Sequence, residues 1–418
     1  MRSIKSSSWL AAVVVLIGSL AAYANQPSWS WTGALTTDSV VISTGWAEGQ
    51  PGPVQVSADP NLRNARTFNA QTSDGPPIGT IGKYAIDGLE PNTSYYYGWH
   101  DKVHGRFQTF AKGQASFTLG FASCASTGSN HQVFDVIREH KPLFFIHTGD
   151  LHYEDIRQNE PERYRQAFSK VLASPRQNQF FRSMGVIYMW DDHDYGPNNS
   201  DARSPSRPAA LASYRQVVPH YPLFAVGSDK PVGQAFTVGR VRFLMPDLRS
   251  AKMHNDLDDG PEKTMMGAEQ LAWFKKELLA ARDSHALIVF ITGVPWTDHT
   301  TRGDSWAGYS HERRVISDFM VANKITNVIA LAGDAHMLAA DDGSNNTFAS
   351  DGKGPGFPVY HGAALDRGGS RKGGPYSEGT FPGSGQFGLL RVADHGAMIE
   401  VSYEGYNHEG QILVSHKA

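Results

Sequence analysis

The sequence predicts an α/β protein, a large layered domain preceded by a smaller all-β one, and three observations predict it. From Ala115 onward short apolar runs alternate with helical patterns, the signature of a layered α/β fold. Residues 27–112 carry instead short β-rich runs separated by Pro and Gly turns. Four apolar runs in the larger part lead straight into clusters of metal-binding side chains. That is the pattern of strands whose carboxyl ends gather a ligand.

The N-terminus has the form of an export signal. Arg2 and Lys5 give a positive start, residues 10–20 are apolar, and Ala22-Tyr23-Ala24 is an A-x-A cleavage site. The apolar run falls short of the roughly 20 residues a membrane span needs. The reading is a signal peptide over 1–24, an exported protein, periplasmic or extracellular, and a mature chain without a transmembrane anchor. No twin arginine is present, so the chain would cross the membrane unfolded and take up metal afterwards.

Within 27–112 the strand candidates are 40–44, 54–57, 84–86 and 95–99. The stretch Ile86-Asp87-Gly88-Leu89-Glu90-Pro91-Asn92-Thr93-Ser94-Tyr95-Tyr96-Tyr97 resembles the corner of a fibronectin type III sandwich, where a tyrosine bonds back to the preceding turn. In the domain over 115–418 the candidate helices are 132–139, 161–172, 208–217, 268–282 and 310–323. The fourth buries a stripe of Leu271, Phe274, Leu278 and Leu279. The strand at 286–292 ends in Gly293-Val294-Pro295-Trp296, with no ligand-type side chain. Segments 194–207 and 342–388 are long enough to be functional rims, and 388–392, 397–403 and 411–415 form a closing meander.

At 418 residues, 40% hydrophobic and 19% charged with net charge −3, the composition is globular. With no long basic tract, specific nucleic-acid binding is not expected. Cys124 is the single cysteine and has no disulfide partner in the chain.

The four apolar runs lead respectively to Ala122-Ser123-Cys124, to Gly149-Asp150-Leu151-His152-Tyr153, to Trp190-Asp191-Asp192-His193-Asp194 and to Gly333-Asp334-Ala335-His336. Asp150, Asp192 and Asp334 brought together without a cation would repel one another and raise each other's pKa. Carboxylates of this kind suit a hard cation such as calcium, magnesium or manganese. Cys124, Tyr153 and His336 add thiolate, phenolate and imidazole, a set that suits a transition metal, and its anionic charge favours Fe(III). Two metals sharing Asp150 would activate a hydroxide and clamp an in-line displacement at phosphorus. His193 would then protonate the leaving oxygen or polarise the phosphoryl group.

These motifs resemble the calcineurin-like metallophosphoesterases: Gly149-Asp150 matches their GD, Asp192-His193-Asp194 stands at N-H-D/E, and Gly333-Asp334-Ala335-His336 at G-H-x-H. The replacements, together with Phe121-Ala122-Ser123-Cys124 and Asp247-Leu248-Arg249, are similar to the alkaline phosphatase D (PhoD-type) branch. That resemblance implies a four-layer α/β/β/α catalytic domain after an N-terminal β domain. It implies Fe(III) on Cys124, Tyr153 and His336, calcium on Asp192 and Asp334, and Asp150 bridging. It also implies hydrolysis of a small phosphate ester or, alternatively, phospholipase D-like cleavage of a phospholipid headgroup. Gly293–Trp296 stands where the wider family has a lone His. A non-catalytic, metal-stabilised surface binding protein is the reading from a different class.

Further expectations concern neighbours. Arg249 meets a substrate phosphate or pairs with a carboxylate such as Asp247. Asn130 donates to a phosphate oxygen or caps a helix. Trp296 and Trp306 wall the pocket or anchor packing. His152 is a rim residue, Asp191 a structural one, and Asp194 orients His193.

Overall fold

The computed structural model describes residues 26–74, 79–300, 302–352, 354 and 356–418; the expected signal segment lies outside them. Among the described residues no helix is long and apolar enough to cross a membrane.

Eight strands come first: β1 (Trp29–Gly33), β2 (Val40–Trp46), β3 (Val54–Ser57), β4 (Arg66–Phe68), β5 (Gln71–Asp74), β6 (Thr80–Ile86), β7 (Ser94–Trp99) and β8 (Lys102–Gln108). They form two four-stranded antiparallel sheets, ordered β1-β2-β6-β5 and β4-β3-β7-β8. Trp46 and Tyr84 of one sheet pack on Trp99 of the other, so the pair is a sandwich. The corner tyrosine is Tyr95, whose hydroxyl accepts from the Glu90 amide at 2.9 Å.

The remaining elements alternate as expected: β9 (Phe117–Ala122), α1 (Val133–Glu139), β10 (Phe144–His147), α2 (Pro161–Ala173), α3 (Pro175–Phe181), β11 (Gly185–Tyr188), α4 (Asp192–Tyr195) and α5 (Arg207–Val217). Then come β12 (Gln234–Val238), β13 (Val241–Met245), α6 (Ala268–Ser284), β14 (Leu287–Thr292), α7 (Ser310–Ala322) and β15 (Val328–Ala332). The chain closes with β16 (Met337–Asp341), β17 (Val359–Gly362), β18 (Thr380–Pro382), β19 (Gln386–Asp394), β20 (Ile399–Asn407) and β21 (Ile412–Lys417).

Two sheets face each other, of six strands (β11-β10-β9-β19-β20-β21) and seven (β12-β13-β14-β15-β17-β16-β18). Successive residues of a strand point to opposite faces, and here both faces are dry. On β10, Phe144 meets Phe243 of the facing sheet while Phe145 meets Phe180 of α3. On β14, Val289 and Ile291 join the core between the sheets, and Ile288 and Phe290 join Phe274 and Leu278 of α6. Burial on both sides is why these strands read as unbroken apolar runs. Helices outside each sheet complete four layers. The sandwich is keyed to this core through Trp31, buried against Phe181 and Tyr188, with its indole N–H on the Val186 carbonyl at 2.9 Å.

Three expectations need correction, and two observed features had no counterpart in the sequence reading. Leu279 is 39% exposed while Leu278 is buried, so the α6 stripe is narrower than drawn. Residues 342–388 are not loop throughout, since β17, β18 and the start of β19 lie within them. The hairpin β12–β13 and the helix α3 lacked a clear signal, being short and, in α3, polar at the surface. The four ligand-bearing strands do not share one sheet: β9, β10 and β11 lie in the six-stranded sheet, β15 in its partner.

His147 and His361 are wholly buried, and burial pulls both down to about 3 from the usual 6.5. They stay neutral in the fold and take up protons in the unfolded chain below its pKa. The stability they confer is therefore complete above about pH 6.5 and is lost as the pH falls toward 3. Urea titrations should show stability falling by up to about 1.4 kcal/mol per pH unit for each histidine in that window, and His147→Phe should remove its share.

Candidate metal centre

The parallel register aligns Ala122, His147 and Tyr188, so β9, β10 and β11 end level, and β15 ends opposite them in the facing sheet. Just past these ends the backbone turns sharply through left-handed conformations: φ is 64° at Cys124, 55° at Asp150, 60° at Asp334 and 48° at His336. Such conformations cost roughly 1–3 kcal/mol each and cluster where a constellation has to be held. Gly149 makes the tightest approach. Its φ is 110°, and a β-carbon there would lie 2.4 Å from the Asp191 Cβ.

Asp150 is the hub. Single ligand atoms of Cys124, Asp150 and His336 lie within 4.8 Å of one another, as do those of Asp150, Asp192 and His193, and those of Asp150, Asp191 and Asp334. Tyr153 donates its hydroxyl to Asp150 Oδ2 at 2.7 Å and lies 3.2 Å from His336 Nε2. The Cys124 thiol approaches the same oxygen at 3.5 Å. His336 Nδ1 bonds the Gly368 carbonyl at 2.8 Å, which turns Nε2 toward the centre.

The electrostatics are those of a site short of positive charge. Burial, then Asp192 and Asp191, push the Asp150 carboxyl well up, and burial with Asp150 and Asp334 does the same to the Cys124 thiol. Burial likewise raises the Tyr153 hydroxyl, with Cys124 and Asp150 adding to it. Asp334 is raised by burial although Lys372 Nζ lies 2.5 Å from it. Asp192 alone is held low: burial works against its charge, but Arg249, His193 and the Asn199 amide at 2.6 Å outweigh it.

His193 follows Asp192 on α4, and its ring lies 4.2 Å from that of Tyr153. Its Nδ1 is 2.5 Å from Asp155 Oδ1. Asp155 is therefore its orienting group, which corrects the expectation for Asp194. Asp194 instead closes the capping box of α4 by accepting from the Asp191 amide, and it also accepts from the His152 amide at 3.0 Å.

Comparison with known proteins completes the description. The family described as PhoD-like phosphatase matches residues 119–365, more than half of the chain and the segment that carries Cys124, Asp150, Tyr153, Asp192, His193, Asp334 and His336. The chain belongs to the PhoD-like phosphatase family. Alkaline phosphatase D of Bacillus subtilis (strain 168) is 24% identical over 369 residues, 72% of this chain and 62% of that protein, so the match spans less than two thirds of the relative. A solved structure titled "Structure of PhoD" superposes with TM-score 0.70 at 20% identity, covering 94% of this chain and 92% of that one, which marks a shared fold.

Three residues expected on the substrate lie elsewhere in this PhoD-like chain. Arg249 is fully buried, its Nε 2.6 Å from Asp191 and its Nη1 2.6 Å from Asp304. It is the counter-charge beneath the carboxylates and does not reach solvent. Asn130 accepts the Arg176 amide at 3.0 Å, bracing the start of α3. Trp296 is fully buried among Phe290, Trp306 and Phe357, and Trp306 is buried with it, so neither walls a pocket. His152 is also no rim residue: it is buried against Phe168, with both ring nitrogens unbonded. In the segment Gly293–Trp296, Gly293 brings backbone against Asp191; a β-carbon there would lie 3.0 Å from Asp191 Oδ1.

Sequence reasoning passed over Asp155, Asp304, Lys372 and Arg367. The first follows Tyr153 by two residues, inside a run already rich in ligands. The last lies in Arg367-Gly368-Gly369-Ser370-Arg371-Lys372, a basic, glycine-rich run whose composition was the available signal.

Removing Arg249 would leave the Asp191 charge buried without its partner. Arg249→Met should accordingly lower unfolding free energy by about 3–5 kcal/mol, measured by urea denaturation at neutral pH.

Proposed function

We propose that the chain is an exported, metal-dependent phosphoesterase. In this reading the signal peptide is 1–24, the β-sandwich domain 27–112 and the catalytic domain 115–418. The observation that carries it is the convergence of Cys124, Asp150, Tyr153, Asp192, Asp334 and His336 beside His193, itself held by Asp155.

The donor set fits cations. Carboxylates and a thiol pushed toward their neutral forms by burial and mutual repulsion are what a bound cation reverses. Cys124, Tyr153 and His336 would hold Fe(III), Asp192 and Asp334 calcium, and Asp150 both. When bound, the metals supply Lewis acidity, acidifying water and neutralising phosphoryl charge.

The chain's own groups supply the remainder. Bonding to Asp155 fixes the His193 ring through Nδ1 and leaves Nε2 to deliver a proton to the departing oxygen. The Asn199 and His193 amides hold the Asp192 carboxylate at 2.6 and 3.0 Å, so it stays ionised and fixed. The layers of sheet and helix exclude water from below.

Mature protein stripped by chelation should lose turnover of p-nitrophenyl phosphate and bis-p-nitrophenyl phosphate and regain it only with iron and calcium together. Asp150→Asn should abolish turnover with the fold intact by circular dichroism; full activity in that variant would sink the reading.

His193→Ala should slow alkyl phosphate hydrolysis about 10²–10⁴-fold and p-nitrophenyl phosphate far less, because nitrophenolate leaves without a proton. Asp155→Asn should cost about 10–100-fold on the alkyl ester. Equal losses on both leaving groups would remove His193 as the proton donor.

A further inference from the structure

We propose that Arg367 is the residue that grips the phosphoryl group, and that it tilts the site toward phosphomonoesters over diesters. The inference rests on the phosphoesterase reading and specifies its substrate class.

Among the described residues, Arg249, Lys252 and Lys372 are committed to carboxylates, and Arg367 lies beside the centre over Tyr153. Arg249 is taken by Asp191 and Asp304, Lys252 by Asp304 and Lys372 by Asp334. Arg367 is different. Among the described residues its guanidinium has no carboxylate partner, and its Nε is buried with no hydrogen-bond acceptor. Arg367 is half-buried, and the Nε is its enclosed donor; an unpaired donor of that kind favours an acceptor that arrives to meet it.

Its position is well defined. The Arg367 amide reaches the Cys124 carbonyl at 3.4 Å, and the neighbouring Leu365 amide bonds the Ser123 carbonyl at 2.9 Å. The guanidinium carbon stacks 4.0 Å from the centre of the Tyr153 ring, the ring that His193 also lies against. The segment is pinned again where Gly368 accepts from His336 Nδ1. Backbone and side chain thus hold Arg367 against Tyr153, the ring on which the proposed proton donor also packs.

The chemistry follows from charge and shape. A guanidinium presents parallel N–H donors that match two oxygens of one phosphate. A monoester offers terminal oxygens carrying nearly two charges at neutral pH, with a second pKa near 6. A diester carries one charge, and its second ester group occupies an oxygen. Arg367 therefore binds the monoester and free phosphate more strongly than the diester.

The test compares wild type, Arg367→Met, Arg367→Lys and, as a control, the exposed Arg371→Met, all metal-loaded. It measures kcat and KM for p-nitrophenyl phosphate and bis-p-nitrophenyl phosphate, and inorganic phosphate binding by calorimetry. Arg367→Met should raise monoester KM and phosphate Kd about 10- to 100-fold, with a smaller change for the diester and kcat nearly constant. Arg367→Lys should recover part of the loss, and Arg371→Met should match wild type. Normal turnover with unchanged phosphate Kd and KM in Arg367→Met would overturn the assignment and leave the phosphoesterase reading standing. Wild type that binds phosphate through Arg367 but cleaves neither ester would keep the anion site and sink the hydrolase. Wild type that does neither would overturn both.

Discussion

Four carboxylates, of Asp150, Asp191, Asp192 and Asp334, are crowded into a buried space at the ends of two facing sheets, and the rest of the centre is organised around tolerating them. Arg249 lies wholly inside the protein for this reason. With Lys252 and Asp304 it forms a charge-balancing floor, fixed by the same packing that builds the sheets. The left-handed turns at Cys124, Asp150, Asp334 and His336 serve the same end from the backbone side, since an ordinary strand-to-loop path would splay the ligands apart. On the inner side the compensation comes from Arg249 and Lys252, and at the rim from Lys372.

The sandwich contributes indirectly. Trp31 bonds to the Val186 carbonyl on β11, four residues before Trp190 and six before Asp192. A strand clamped from outside the catalytic sheets is less free to slide, and a slip of one residue would turn its side chains to the opposite face. The N-terminal sheets therefore help set the register of a ligand-bearing strand.

Much of the fold was legible because burial on both faces leaves a trace: the largely apolar runs 143–146, 186–189, 286–292 and 328–331 each overlap an observed strand. The ligands were legible because each directly follows such a run. What failed to show in the sequence was partnership. Arg249 reads as a phosphate ligand from its neighbours in sequence, and only the fold shows that Asp191 and Asp304, far along the chain in both directions, already hold it. Asp194 was credited with a task that Asp155 performs, because two acidic residues near one histidine cannot be told apart without the turn of α4. His152 was placed at the rim from the alternation of strand faces, and Trp296 was left between pocket wall and packing anchor; aromatic neighbours more than ten residues away draw both inside.

Cys124 is the single cysteine of the chain, and the fold encloses it completely. Disulfide formation needs a second sulfur that can reach the first. None exists within the molecule, and burial shuts out one from a neighbouring copy. Peroxide and other small oxidants, which need no second thiol, attack exposed thiolates most readily, and this sulfur offers them no surface. Having only one cysteine thus removes disulfide mispairing within the chain, and once folded the protein keeps that sulfur out of reach of other chains.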